Sequence, residues 1–148
     1  MPSPFLCGIQ PRFGWIATLS AKVLVVDDDA AIRTLVSRLF ERAGYNVRSA
    51  VDGADAIDQM IEDAPDLLIL DLMMPRTDGI GVVEWIAKNA PPPRIIVLSA
   101  AVPGIVERLR KDIVWKVLGK PFDLGNLLAE AEEALAAAEP SDPTDLPA

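Results

Sequence analysis

The sequence predicts an α/β doubly wound fold, in which helices cover both faces of a parallel sheet. Five short runs rich in aliphatic and β-branched residues alternate with five helical patterns along residues 21–138. Several of the runs are continuously apolar, which is typical of strands buried on both faces of a parallel sheet. Regular alternation of strands and helices along the chain indicates the α/β class.

The individual elements follow from periodicity and from the residues that end each pattern. Predicted strands occupy residues 22–26, 45–50, 67–70, 94–98 and 115–118. Predicted helices occupy residues 30–43, 53–62, 80–89, 104–111 and 124–138. Gly44 is expected to end the first helix in the left-handed conformation. Asp123 stands where an N-cap of the last helix is expected.

Length and composition exclude several classes of function. The chain has 148 residues, a net charge of −8, one cysteine and no histidine. The length suits one domain. Without histidine there is no Ser-His-Asp triad and no imidazole metal ligand, and Cys7 alone makes neither an intramolecular disulfide nor a multi-thiolate zinc site. The acidic balance argues against nucleic acid as a main partner and is compatible with binding a divalent cation.

Both ends of the chain differ in composition from residues 21–138. Residues 1–20 hold three prolines and show no helical or strand period, so we expect a flexible N-terminal extension. Residues 139–148 hold three prolines and three acids, which predicts a disordered acidic tail. No apolar run is long enough to span a membrane and no secretory signal is evident, so a cytoplasmic protein with no membrane partner is expected.

Polar side chains follow four of the five predicted strands. They are Asp27, Asp28 and Asp29 after the first strand, Asp71 after the third, Ser99 after the fourth and Lys120 after the fifth. Each one alone is more often a cap or turn residue. Because the carboxyl ends of parallel strands lie at one edge of the sheet, their coincidence favours a common site.

The residue types at these strand ends suit phosphoryl transfer. Three carboxylates around one point repel each other unless a cation lies among them, and Mg²⁺ prefers such oxygen ligands. A carboxylate can act as a nucleophile toward phosphorus and form an aspartyl phosphate. An ammonium group and a hydroxyl can then neutralise and bind the phosphoryl oxygens.

Four motifs resemble those of the receiver domain of two-component response regulators of the chemotaxis-regulator type. They are VLVVDDD (23–29), LLILDLMMPRTDG (67–79), VLSA (97–100) and KPF (120–122). The resemblance covers about residues 21–138, nearly a whole receiver domain. It implies a flavodoxin-like fold with a five-stranded parallel sheet in the order 2-1-3-4-5 and five helices.

The resemblance also implies a Mg²⁺ site. Asp71 matches the phosphoacceptor and a metal ligand, and Asp27 and Asp28 match the acidic pair that holds Mg²⁺. Met73 matches the position whose backbone carbonyl is a further ligand. Asp29 has no family role and is expected to be a cap or an exposed acid.

Ser99 and Lys120 match the two residues that contact the phosphoryl group, and the family has a cis peptide bond at the position of Lys120–Pro121. The chain departs from the family pattern at the aromatic residue that moves inward when the Ser/Thr moves. Val117 stands where the family usually has an aromatic residue. Trp115, two residues earlier, is expected on the same face of the strand by alternation.

The resemblance implies a phosphoacceptor that takes part in its own aspartyl phosphorylation and dephosphorylation, without being an enzyme in the usual sense. Because the chain has no histidine, the donor is expected to be a separate histidine kinase or histidine phosphotransfer protein. The signal is expected to leave through the face of the fourth helix, fifth strand and fifth helix, toward an output protein or a second copy. Whether the chain stands alone or belongs to a longer regulator stays open.

Three other classes of protein share parts of this pattern. A phosphorylation-independent receiver-like interaction module stays open because of Val117. A haloacid-dehalogenase-like hydrolase expects an acid two residues after its nucleophile, where this chain has Met73. A nucleotide-binding Rossmann domain expects a glycine-rich fingerprint or a P-loop, and the chain has neither.

Overall fold

A computed structural model of the chain describes residues 21–74, 78–89, 91–100, 104, 106–110 and 112–138. The strands are β1 Lys22–Val26, β2 Asn46–Ala50, β3 Leu67–Asp71, β4 Arg94–Ser99 and β5 Lys116–Gly119. The α-helices within the described residues are α1 Ala30–Arg42, α2 Gly53–Glu62, α3 Gly79–Asn89 and α4 Leu124–Ala138. None of these helices is long and apolar enough to cross a bilayer. The predicted N-terminal extension (1–20) and acidic tail (139–148) lie outside the described residues.

The five strands form one parallel sheet in the order β2-β1-β3-β4-β5, which confirms the predicted order. β1 pairs with both β2 and β3, so Val26 lies between Ala50 and Leu70. The chain adds strands to one side of β1 and then to the other. A crevice therefore opens outside the carboxyl ends of β1 and β3, where ligands of open α/β sheets bind.

Helices pack on both faces of the sheet and bury two apolar layers. One layer joins the sheet to α2 and α3 and includes Ala56, Met60, Val82 and Ile86. The other joins it to α1 and α4 and includes Val36, Phe40, Leu127 and Ala131. All five residues of β3 are buried, as predicted for a strand covered on both faces. This fixed central strand carries Asp71 at its carboxyl end.

Helix α1 begins and ends where local sequence signals predict. The Asp29 side chain accepts hydrogen bonds from the backbone N–H groups of Ala31 and Ile32, so Asp29 is the N-cap. Gly44 has a φ of 101°. Its N–H and that of Tyr45 donate back to the last turn of the helix, in the arrangement of a Schellman motif. The Asp29 cap therefore fixes the turn between β1 and α1, which carries Asp27 and Asp28, to the first turn of α1.

The fourth predicted helix, over residues 104–111, is wrong within the described residues. A single 3-10 turn, Val106–Arg108, stands in its place. Gly104 has a φ of 84°, which no right-handed helix accommodates, and Leu109 is the buried apolar residue that anchors the segment. A segment of this length is marginal as a helix unless packing supports it. The described residues thus form four α-helices rather than five.

Candidate functional site

Three carboxylates meet at the crevice between β1 and β3. Asp27, Asp28 and Asp71 each offer a carboxylate oxygen, and these atoms lie within 4.8 Å of one another. Asp27 and Asp71 are buried, whereas Asp28 is exposed. β1 and β3 are neighbours in register, so their carboxyl ends bring the acids together. The structure therefore places the predicted acidic residues at one point.

Lys120 reaches the same point from the loop after β5. Its Nζ lies 3.3 Å from Asp27 Oδ2 and 3.3 Å from Asp71 Oδ1. The Lys120 backbone N–H donates to the Ser99 carbonyl at 2.8 Å, which ties this loop to the end of β4. The Lys120–Pro121 peptide bond is cis, as the resemblance implies. One ammonium group thus lies between two of the three acids.

Burial and charge set the protonation of the site. Burial, and after it the charge of Asp27, raises the pKa of Asp71 to about 6, although Lys120 and the Met73 N–H act in the opposite direction. Burial lowers the pKa of Lys120, but the charges of Asp27 and Asp71 together outweigh burial and raise it above its ordinary value. With all four groups ionised, the three carboxylates and the Lys120 ammonium give the site a formal charge of −2.

Ser99 is the last residue of β4, the strand that pairs with the strand carrying Asp71. It is 3% exposed, and its hydroxyl donates to the carbonyl of Ala100 at 2.8 Å. In the described part of the chain no hydrogen bond joins this hydroxyl to the three acids. Ser99 therefore lies beside the acidic cluster, while its hydroxyl donates to the backbone carbonyl of Ala100.

Met73 and Asp29 contribute in different ways. The Met73 N–H donates to Asp71 Oδ1 at 3.3 Å and helps to orient the carboxylate, while the Met73 side chain is 47% exposed. A ligand role for the Met73 carbonyl stays a prediction. The Asp29 carboxylate caps α1, and the Asp29 N–H donates to Asp27 Oδ1. Asp29 is thus an exposed cap, as expected, and lies outside the cluster of three acids.

Two residues near the site were missed at the sequence level. Arg33 on α1 donates from its NH1 to the Asp27 carbonyl at 2.8 Å. Gly79 begins α3 so close to β3 that a Cβ there would lie 2.7 Å from the Asp71 carbonyl oxygen. The helical spacing from Asp29 puts Arg33 one turn into α1, and this spacing is the signal that points to its contact. Nothing local in the sequence signals the close approach of Gly79.

The expectation that Trp115 and Val117 share a face is wrong. Trp115 packs with the apolar layer of α1 and α4, whereas Val117 packs with the layer of α2 and α3. Strand β5 begins only at Lys116, so alternation does not extend back to Trp115. The Arg94 guanidinium lies 5.1 Å from the centre of the Trp115 ring and stacks on it. Trp115 therefore does not replace the aromatic residue missing at Val117.

Comparison with known proteins identifies the family. A family model described as response regulator receiver domain matches residues 23–132. The chain belongs to the response regulator receiver domain family. It is thus a receiver domain of a two-component system, a class of domain that interacts with histidine kinases and is typically phosphorylated on an aspartate.

Curated relatives include longer regulators. Response regulator MprA of Mycobacterium bovis (strain BCG / Pasteur 1173P2) is 38% identical over 126 residues, which cover 84% of this chain and 54% of that protein. The protein of the same name in Mycobacterium avium (strain 104) is 38% identical over 123 residues, or 82% of this chain and 54% of that protein. The receiver chain spans about half the length of these relatives. The prediction that nucleic acid is not a partner therefore stays a prediction.

Solved receiver domains share the fold. The signal receiver domain of a putative Luxo repressor protein from Vibrio parahaemolyticus superposes with a TM-score of 0.75 at 26% identity, covering 81% of this chain and 93% of that one. The receiver domain of Francisella response regulator 1452 gives a TM-score of 0.74 at 29% identity, covering 80% and 99%. These likenesses agree with the sheet order and confirm the flavodoxin-like fold.

The chemistry of the acidic cluster fits Mg²⁺, which receiver domains generally bind at an acidic pocket. The donors are carboxylate oxygens, the hard ligands that this ion prefers. The formal charge of −2 leaves room for a divalent cation beside the ammonium of Lys120. Asp28, which is exposed, keeps one side of the cluster open to solvent, as an ion that retains water ligands requires. Asp27, Asp28 and Asp71 are the residues suited to hold it.

Proposed function

We propose that this receiver domain accepts a phosphoryl group on Asp71 from a phosphohistidine of a separate histidine kinase or histidine phosphotransfer protein. The observation that carries the proposal is the position of Asp71, a buried carboxylate within reach of two other acids and 3.3 Å from Lys120. The chain has no histidine, so the donor histidine lies outside this chain.

In the proposed step an Asp71 oxygen attacks phosphorus and the bond between phosphorus and the donor imidazole nitrogen breaks. The electron pair of that bond returns to the imidazole, and Asp71 becomes an acyl phosphate. A Mg²⁺ ion held by Asp27, Asp28 and Asp71 would supply charge neutralisation for the phosphoryl oxygens. The Met73 N–H holds one oxygen of Asp71 in place before the attack.

Lys120 and Ser99 act on the transferred group. The Lys120 ammonium already contacts Asp71 and remains beside a newly bound phosphoryl group as its charge appears. Rotation of the Ser99 side chain away from Ala100 lets its hydroxyl donate to a phosphoryl oxygen. The Lys120 N–H contacts the Ser99 carbonyl, so the two residues are coupled through the backbone as well.

The proposed output is a change of protein contacts. Phosphorylation draws Ser99 and Lys120 toward one group and shifts the surface of residues 104–111, β5 and α4 between two states. An output protein or a second copy of the chain binds that surface. We further propose that residues 21–138 form the receiver unit, that residues 1–20 and 139–148 are extensions of it, and that the protein is cytoplasmic.

A second candidate is an interaction module that works without phosphorylation. Val117 favours it, because no aromatic side chain stands at the usual switch position and Trp115 packs on the other face of the sheet. Such a module would have the same fold, but its acidic cluster would not take part in phosphoryl transfer.

Beryllofluoride, which mimics an aspartyl phosphoryl group, separates the two candidates. Fluorine NMR of the chain with Mg²⁺ and beryllofluoride should give a bound signal that disappears in Asp71→Asn and in the presence of a chelator. Asp58→Asn, an exposed acid on α2, is the matched control and should keep the signal. Absence of a bound signal in the unmodified chain would favour the phosphorylation-independent module.

A further inference from the structure

The turn between β1 and α1 holds the acids Asp27 and Asp28 in different ways. Asp27 is buried, its Oδ1 accepts the Asp29 N–H at 2.9 Å, and its Oδ2 contacts Lys120. Asp28 is exposed, and within the described residues its carboxylate accepts no hydrogen bond. The direction of the Asp28 side chain therefore depends on the backbone that carries it.

Arg33 contacts that backbone directly. Its NH1 donates to the Asp27 carbonyl at 2.8 Å, and this carbonyl belongs to the same planar peptide unit as the Asp28 N–H. Arg33 is half-buried on α1, and its own N–H donates to the Asp29 carbonyl at 2.9 Å. The peptide plane between Asp27 and Asp28 is thus fixed by a side chain on a stable helix.

We propose that Arg33 is a positioning residue, which orients the peptide between Asp27 and Asp28 so that the Asp28 carboxylate faces the cation site. This inference rests on the proposed function, since it concerns the affinity of the same site for Mg²⁺. Residues that hold metal ligands in place without touching the metal commonly affect affinity about tenfold or more.

Charge and positioning make opposite predictions for the loss of Arg33. Removal of a cation close to a cation site strengthens Mg²⁺ binding by electrostatics alone. Loss of the hydrogen bond that orients Asp28 weakens it. The sign of the change therefore separates a positioning residue from a nearby charge.

The test measures Mg²⁺ affinity by calorimetry, with the metal alone as the probe, in four variants of the full chain. Arg33→Met keeps an apolar stem and removes the donor, and it should weaken Mg²⁺ binding on the order of tenfold. Arg33→Gln is too short to reach the carbonyl and should weaken binding similarly. Arg33→Lys retains a donor and should restore part of the affinity. Arg38→Met, an exposed arginine on the same helix, should bind as the unmodified chain does.

Amide NMR of the metal-free variants gives a second readout. Arg33→Met and Arg33→Gln should shift the Asp28 amide resonance, because its peptide unit has lost a hydrogen bond, whereas Arg38→Met should leave it unchanged. If Arg33→Met fails to fold, the comparison of Mg²⁺ affinity between Arg33→Gln and Arg33→Lys still tests the inference.

Mg²⁺ binding in the Arg33 variants that equals or exceeds that of the unmodified chain would overturn the inference while leaving the proposed function intact. Failure of the unmodified chain to bind Mg²⁺ would overturn both.

Discussion

The Lys120 ammonium lies 3.3 Å from Asp71 Oδ1, although the strands that deliver the two residues are separated in the sheet by β4. The same ammonium lies 3.3 Å from Asp27 Oδ2. The ends of three strands therefore converge on one charge cluster, and the lysine offsets the repulsion between two buried acids. Several measurable properties of the domain depend on this arrangement.

Lys120→Met should destabilise the metal-free protein by about 1 to 2 kcal/mol at neutral pH, because Asp27 and Asp71 are left facing each other without a cation. Added Mg²⁺ should recover part of the loss, since it binds the folded state at these acids. Urea unfolding with and without Mg²⁺ measures both effects. Lys116→Met, which removes the ion pair between the exposed Lys116 and the half-buried Glu130, is the control and should cost at most about 0.5 kcal/mol. Equal stability of the two variants would contradict a bridging role for Lys120.

Asp28 and Asp29 are adjacent in the chain and differ in function. Asp28→Asn should weaken Mg²⁺ binding on the order of tenfold, because a carboxylate of the cluster loses its charge. Asp29→Asn should leave the affinity within about twofold, since asparagine caps a helix as well as aspartate does. Calorimetric titration of both variants with Mg²⁺ measures the difference. Similar losses of Mg²⁺ affinity in both variants would contradict the assignment of Asp28, and not Asp29, to the cation site.

The stability of the metal-free protein should depend on pH through Asp71. Burial, with the charge of Asp27, raises the pKa of Asp71 from the model-compound value of 3.8 to about 6. Between these two values the folded state binds more protons at Asp71 than the unfolded chain does. The contribution of Asp71 to the free energy of unfolding therefore falls as pH rises through this window, and it stays low above it.

Asp71→Asn removes the cost of holding an ionised Asp71 carboxylate in the folded protein. It should stabilise the metal-free protein by about 1 to 2 kcal/mol near pH 7.5, less than the whole pKa shift because solvent and Lys120 screen the charge. Near pH 4.5 the gain should be well under half as large, since Asp71 is then largely protonated in the folded state while the unfolded carboxyl is still mostly ionised. Urea unfolding at both pH values measures the difference, with Asp58→Asn as a control. A gain of equal size at both values would refute the electrostatic explanation.

Gly79→Ala should destabilise the domain by about 2 to 3 kcal/mol, because a Cβ would lie 2.7 Å from the Asp71 carbonyl oxygen and 2.7 Å from Leu72 Cα. Backbone atoms of a buried strand cannot move aside at low cost. Gly125→Ala, whose Cβ would have no atom closer than 3.8 Å, should instead be neutral or stabilising, as alanine is in most helices. Thermal unfolding of both variants compares them, and equal behaviour would contradict the close packing of α3 on β3.

The parts of the site that sequence reasoning predicted are those set by strand topology. Asp27, Asp71 and Lys120 each follow a strand, and a parallel sheet brings such positions to one edge whatever the details of packing. The Asp29 cap and the end of α1 at Gly44 were also predictable, because they depend on residues within one helical turn.

The parts that were missed or wrong depend on contacts between distant segments. The close approach of Gly79 to β3 arises only when α3 docks on the sheet. The face of Trp115 depends on where β5 begins, and that is set by its pairing with β4. The 3-10 turn that replaces the helix predicted from residue 104 is a local exception, since Gly104 has a positive φ that periodicity does not reveal.

Phosphorylation of Asp71 is the central claim, and acetyl phosphate with Mg²⁺ tests it most directly. Intact-protein mass spectrometry should detect one added phosphoryl group on the unmodified chain and on Asp58→Asn, and none on Asp71→Asn or in the presence of a chelator. Reductive trapping of the acyl phosphate and peptide mapping should locate it at Asp71. A phosphoryl group retained by Asp71→Asn, or mapped to another residue, would contradict the account.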